Sequence, residues 1–224
     1  MESPRRPGGG FSIRTSASFT LGFVRIRAVF FDVGETIVDE TVLWRWWADR
    51  FGIPHFTFFA VFGALIERRE DHRRVFDVFG VRRDDSWPGF GVEHLYPDAL
   101  PCLRELKARG LRLGLVGNTS EQIEDILRTL DLPVDVIGSS ERWGVEKPSP
   151  AFFARVVEEA GVEASHVAYV GDRLDNDVLP AVDAGMCGVF LRRGPWGWLH
   201  ASTPEAQRAT LRIDGLDELP DALP

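Results

Sequence analysis

Apolar positions along this chain fall into two rhythms. Short continuous runs recur at residues 27–33, 111–116, 134–138, 166–170 and 188–191, most of them followed closely by glycine, serine or a charged residue. Runs of this length, ended by turn formers, read as strands buried on both faces. Between them, residues 98–109, 121–130, 150–160 and the stretch from 173 to 184 carry apolar side chains at helical spacing. Pro101 falls in the first turn of one predicted helix and Gly110 at its end. Ser120 and Ser149 stand where a hydroxyl can accept from free helix N–H groups, and Pro150 occupies a first helical position. Alternation of this kind builds a parallel sheet through right-handed crossovers, an α/β fold. Residues 211–213 read as an edge strand. The run Gly194-Pro195-Trp196-Gly197-Trp198 and the residues up to 209 read as an irregular loop.

The rhythm changes between the first and second strands. Thr41, Leu43, Trp44, Trp47 and Phe51, then Phe58, Phe59, Phe62, Leu65 and Ile66, then Val75, Phe76 and Phe79 recur at helical spacing. Gly52, Pro54 and Gly80 separate about three amphipathic helices, and residues 84–91 return as a loop. Residues 40–92 therefore read as a helical segment between residues 26–39 and 93–224, which carry the α/β alternation. One narrow helix face cannot bury Trp44, Trp46 and Trp47 together, so at least one turns toward a site or a partner. Residues 1–25, rich in Pro, Gly, Ser and Arg at their start, are expected to be a poorly ordered extension. A cleaved leader is disfavoured there, and a true start near Val24 is the other alternative.

Charge narrows the partners. The net charge of −8 disfavours a nucleic-acid ligand, which needs a basic face. No apolar run approaches the roughly 18 residues of a membrane span. Cys102 and Cys187 lack metal spacing and read as free thiols of a reducing cytoplasm. Oligomeric state is not encoded in any pattern.

Chemistry concentrates at predicted strand ends. Asp32 follows the first strand, where open parallel sheets place their ligands. Lys147 is one of only two lysines against twenty-four arginines. Asp172 and Asp177 follow the fourth strand. Carboxylates gathered at one sheet edge repel unless a cation lies between them, and oxygen-only ligands favour Mg²⁺. A lysine there balances charge and helps hold an anionic substrate against a nucleophilic carboxylate. Such a set suits phosphoryl transfer through an aspartyl-phosphate. Asp175 reads as solvated, and Arg192-Arg193 as surface, with a phosphate-facing placement as the alternative.

The segments Phe30-Phe31-Asp32-Val33-Gly34-Glu35-Thr36, Leu113-Gly114-Leu115-Val116-Gly117-Asn118-Thr119, Lys147-Pro148 and Val170-Gly171-Asp172-Arg173 on to Asp177 resemble, in order, the four motifs of the haloacid dehalogenase-like hydrolase superfamily. The resemblance spans about residues 27–220. It implies a Rossmann-like core with a small helical cap after the first motif. It also implies that Asp32 is the nucleophile, that Lys147 offsets charge, and that Asn118 and Thr119 meet the phosphate. Asp32, the Gly34 carbonyl and Asp172 would hold Mg²⁺, with Asp177 a ligand or its neighbour. Two positions depart from the family pattern. Gly34 stands where phosphatases of the family carry a general-acid aspartate, and Gly117 where they carry a hydroxyl that Thr119 or Ser120 could partly replace. Glu35, Asp39, Glu40, His55 and His72 are the nearby substitutes for the acid. The resemblance leaves three readings: an Mg²⁺-dependent phosphatase of a small phosphorylated or anionic metabolite, a metal-free carbon–halogen hydrolase, or a degenerate member that binds a phosphorylated ligand or protein. The absence of lysine from residues 40–92 closes the Schiff-base route of the family's phosphonate hydrolases.

Overall fold

A computed structural model describes residues 25–84 and 86–224. The expectations for the N-terminal extension lie outside the described residues. Six strands form one parallel sheet in the order β3-β2-β1-β4-β5-β6. They are β1 (Ala28–Phe31), β2 (Arg112–Gly117), β3 (Val136–Ser139), β4 (Val167–Gly171), β5 (Cys187–Leu191) and β6 (Leu211–Ile213). β1 lies inside the sheet, and its four side chains are fully buried. Because successive side chains point to opposite faces, Val29 and Phe31 pack into one layer with Leu103 and Leu106, and Ala28 and Phe30 into the other with Phe152, Phe153 and Tyr169. A strand covered on both faces needs no polar positions, which is why its sequence does not alternate.

Helices α4 (Ala99–Ala108), α5 (Glu121–Thr129), α6 (Ser140–Trp143) and α7 (Pro150–Ala160) connect and cover the strands. Ser120 Oγ accepts from the Ile123 amide and Ser149 Oγ from the Ala151 amide, so both predicted caps form. After β4 the chain makes one wide turn with π-type spacing at Leu174–Val178 before α8 (Leu179–Asp183). Two expectations are corrected downstream. The run beginning at Gly194 is not wholly irregular, because Gly194–His200 forms α9, with Pro195 in its first turn and Trp196 buried. Arg193 is not a surface residue. Its guanidinium donates to the Thr36 carbonyl and to Asp98, with 12 % of the side chain exposed. A short helix, α10 (Leu219–Ala222), ends the fold.

Between β1 and β2 the chain runs through α1 (Thr41–Arg50), α2 (His55–Glu67) and α3 (Val75–Val78). This insertion leaves and returns at one neck. The Asp39 amide donates to the His94 carbonyl and the Tyr96 amide to the Ile37 carbonyl, both at 2.9 Å. Trp44, Trp47, Phe58, Phe62 and Phe76 form its interior as a set of tilted, stacked and edge-to-face rings. Trp46 stays half-exposed, against Trp47 and beneath the Arg50 guanidinium. Among the described residues no helix is long and apolar enough to cross a membrane.

Candidate active site

The strand order reverses between β1 and β4, the place where open α/β sheets leave a crevice at their carboxyl ends. Asp32 and Asp172 follow those two strands directly. The Asp32 amide donates to the Val170 carbonyl at 2.9 Å, carrying the ladder one residue past β1 and fixing where the carboxylate starts. From the other side, the loop between α6 and α7 brings in Lys147. Asn118, just beyond β2, holds that loop. Its Nδ2 donates to the Lys147 carbonyl at 2.8 Å, and its Oδ1 accepts from the Lys147 amide at 2.7 Å. The Asn118 carboxamide therefore grips Lys147, and the residue also lines the cavity over the carboxylates.

Lys147 Nζ lies 2.7 Å from Asp32 Oδ1 and 2.6 Å from Asp177 Oδ1, with 1 % of its side chain exposed. Burial works against the ammonium, but Asp177 and Asp32 outweigh it and hold its pKa well above the ordinary lysine value. The rings of Tyr169 and Phe152 sit 5.6 and 5.9 Å from the same nitrogen. Asp177 is engaged at both oxygens. Its Oδ1 accepts from Lys147 and Asn176, and its Oδ2 from the Arg173 amide. Asp172 differs. It is 2 % exposed and its Oδ2 is buried with no hydrogen-bond partner among the described residues. Burial, then Asp177 and Asp32, push its pKa well above the carboxylate range. Carboxylate oxygens of Asp32, Asp172 and Asp177 lie within 4.8 Å of one another. The ammonium pairs with Asp32 and Asp177 only, and one buried oxygen of Asp172 lacks a partner among the described residues. That arrangement fits a hard divalent cation bound by oxygen, Mg²⁺ above all.

A cavity of about 360 Å³ opens over this cluster, and Asp32, Glu35, Glu40, His72, Thr119 and Trp196 are among its walls. A second cavity of about 640 Å³ shares Glu40, His72 and Thr119 with it and extends under the helical insertion, where Trp44, Trp87 and Phe90 make an apolar side. Thr119 Oγ1, His72 Nδ1 and Trp196 Nε1 are buried without partners among the described residues. Polar atoms in that state are uncommon in folded proteins and suit a ligand that would pair them.

Both departures from the family pattern have a steric counterpart. A Cβ at residue 117 would lie 2.5 Å from Asp32 Oδ1, so the Asp32 carboxylate takes the space of the missing side chain. A Cβ at residue 34 would lie 2.4 Å from Glu40 Oε1. The Glu40 amide donates to Glu35 Oε1 at 2.9 Å, and Trp44 Nε1 donates to Glu40 Oε2 at 3.3 Å. Burial, then the neighbouring Glu35, raise the Glu40 pKa to about 8. Glu35 itself adopts φ 51° and accepts the Tyr96 hydroxyl at 2.6 Å; burial raises its pKa as well. His72, enclosed by Trp44, Phe62 and Trp196, is lowered to about 4 by burial. Of the five substitutes for the absent acid, Glu35, Glu40 and His72 border the smaller cavity. Asp39 is not among its walls and accepts from the Thr41 amide; nor is His55, which pairs with Asp49.

Arg173 and Trp196 escape sequence reasoning. The guanidinium lies 4.0 Å from the Trp196 ring centroid, and both residues line the smaller cavity. Adjacency to Asp172 is a signal for Arg173, whereas nothing local marks Trp196.

A family model for haloacid dehalogenase-like hydrolases matches residues 26–185. The glyceraldehyde 3-phosphate phosphatase of Methanocaldococcus jannaschii is 35 % identical over 129 residues, which cover 56 % of this chain and 55 % of that protein. The chain thus spans about half the length of the curated relatives it matches first. Among solved structures, a phosphatase of this superfamily from Thermococcus onnurineus aligns with TM-score 0.62 and 24 % identity, covering 88 % of this chain and 97 % of its own. The L-2-haloacid dehalogenase of Xanthobacter autotrophicus, with chloropropionic acid covalently bound, aligns with TM-score 0.66 and 19 % identity, over 88 % of this chain and 97 % of its own. At those identities the two structures share the fold.

Proposed function

The chain belongs to the haloacid dehalogenase-like hydrolases, and from that premise we propose that it hydrolyses phosphate monoesters of small metabolites through Asp32. The observation that carries this reading is the buried Asp172 oxygen, unpartnered among the described residues, beside Asp32 and Asp177. A metal-independent attack on a carbon–halogen bond gives that oxygen no use.

Lys147 engages Asp32 Oδ1, which leaves Oδ2 as the attacking oxygen and fixes the carboxylate's rotation. Attack on phosphorus transfers the phosphoryl group to Asp32, and water then attacks the acyl-phosphate. Mg²⁺ bound by Asp32 and Asp172 would supply charge neutralisation at the phosphoryl oxygens. Asp177 keeps the Lys147 ammonium charged and in place, and Asn118 holds its backbone. Thr119 Oγ1 offers a donor to a phosphate oxygen. The insertion of α1–α3 serves as a cap over the larger cavity and selects the leaving group through its aromatic wall.

Release of p-nitrophenolate from p-nitrophenyl phosphate tests this reading, run with Mg²⁺ and with EDTA, on the native protein and on Asp32→Asn. Turnover should require both the metal and Asp32. Activity that persists in EDTA would favour carbon–halogen chemistry, and ligand binding without turnover would favour a degenerate binder. Glyceraldehyde 3-phosphate, the substrate in the relatives' name, is the first metabolite to assay.

A further inference from the structure

The loss of a side chain at residue 34 raises the question of what meets the leaving-group oxygen. We propose that Glu40 has taken over this role, and that its carboxyl delivers the proton to the departing alkoxide from the space that a side chain at residue 34 would otherwise fill. The proposal rests on the phosphohydrolase reading above.

Four observations support it, all of them geometric. An ideal Cβ on residue 34 would fall 2.4 Å from Glu40 Oε1, 2.6 Å from Cδ and 3.3 Å from Cγ. The Glu40 carboxyl and a side chain at 34 are thus alternatives for one volume. The φ of Gly34 lies outside the left-handed region, so the backbone would accept any residue, and what occupies its place is the Glu40 carboxyl. The carboxyl is also held in place. Trp44 Nε1 fixes Oε2 and Glu35 fixes the Glu40 amide, whereas Oε1 has no hydrogen bond among the described residues. Finally, Glu40 borders both the small cavity over Asp32 and the large one under the helical insertion. A leaving group passing from the first to the second passes this carboxyl.

The step balances simply. Asp32 Oδ2 forms a bond to phosphorus as the ester P–O bond breaks, and the electron pair of that bond stays on the ester oxygen. That oxygen takes the Glu40 proton and leaves as an alcohol. In the second half, the Glu40 carboxylate takes a proton from the water that attacks the acyl-phosphate, and Asp32 is restored.

The test compares phenyl phosphate with p-nitrophenyl phosphate under Mg²⁺. The two substrates share an aryl ester, but the poorer leaving group of the first, which lacks the nitro substituent, depends far more on protonation of its oxygen. Glu40→Gln keeps size and polarity without the acid. It should lower kcat/KM for phenyl phosphate by roughly 10²-fold, and by at least tenfold less for p-nitrophenyl phosphate. Gly34→Asp combined with Glu40→Ala should restore at least tenfold of the loss on phenyl phosphate, because removing the longer side chain opens room for the shorter one. Equal losses on the two substrates, or a double variant no better than Glu40→Ala, would overturn the assignment to Glu40 while leaving the phosphohydrolase reading intact. A native protein inactive on both substrates would remove that reading, and this proposal with it.

Discussion

Around the Lys147 ammonium, one buried and one partly exposed carboxylate and two aromatic rings replace most of the water. A cation so placed gains little over an apolar substitute as long as its partners leave with it, but removing it alone strands two negative charges. Lys147→Met should therefore cost about 3–5 kcal/mol in urea unfolding with EDTA present. Adding Asp177→Asn should recover part of that, since the two positions share one interaction. A double variant whose loss equals the sum of the Lys147→Met and Asp177→Asn losses would show that the pair is not coupled. Asp32 and Lys147 are marked in the sequence by strand-end position and by lysine scarcity. That both oxygens of Asp177 are spent on Lys147, Asn176 and Arg173 is not, because those bonds depend on the wide turn at Leu174–Val178.

At the scale of elements, α9 is the misread segment. Gly194-Pro195-Trp196-Gly197-Trp198 carries two glycines and a proline, so intrinsic propensity argues against a helix. Burial of Trp196 against His72 and beneath Arg173 decides otherwise. His72 belongs to the short 3₁₀ turn before α3, and its pKa falls from 6.5 to about 4 through burial, against Asp71 and alongside Arg173, Arg73 and Arg83. Between those values the unfolded chain takes up a proton that the folded chain refuses. The stability that neutral His72 contributes is therefore present above pH 6.5 and lost as pH falls toward 4. The Tm of the native protein should drop more steeply across that window than the Tm of His72→Phe, as followed by circular dichroism. Parallel curves would mean that His72 titrates normally.

For the whole molecule, the crevice at the switch in strand order gathers three carboxylates from two strand ends and the turn that follows, and folding brings them together without a cation of equal charge. A ligand that binds only the folded state stabilises it. At a hundredfold excess over Kd, Mg²⁺ should raise Tm by about 5–10 °C for a chain of this size. Asp172→Asn should abolish that response and, in EDTA, raise Tm above the native value, because one member of a repelling set becomes neutral. A native Tm unmoved by Mg²⁺ would count against the metal site. This measurement needs no substrate and so stands apart from the assays of turnover.

The sequence by itself determined the alternation of strands and helices, the insertion after the first strand, and the residue types at the strand ends. These are local properties: apolar periodicity, capping hydroxyls, and the turn formers that close each run. It also exposed the two positions where side chains are missing, Gly34 and Gly117. What filled them was decided only by the tertiary structure. Glu40 is six residues from Gly34 and one of five comparable candidates in the sequence. It reaches the vacated space because the chain turns back on itself, through the Gly34–Val38 bridge and the bonds at the neck of the insertion, before α1 begins. Trp44, one helical turn further on, then anchors the carboxyl. Such placements depend on contacts closed by the whole fold, and a residue's own neighbours in sequence carry no record of them.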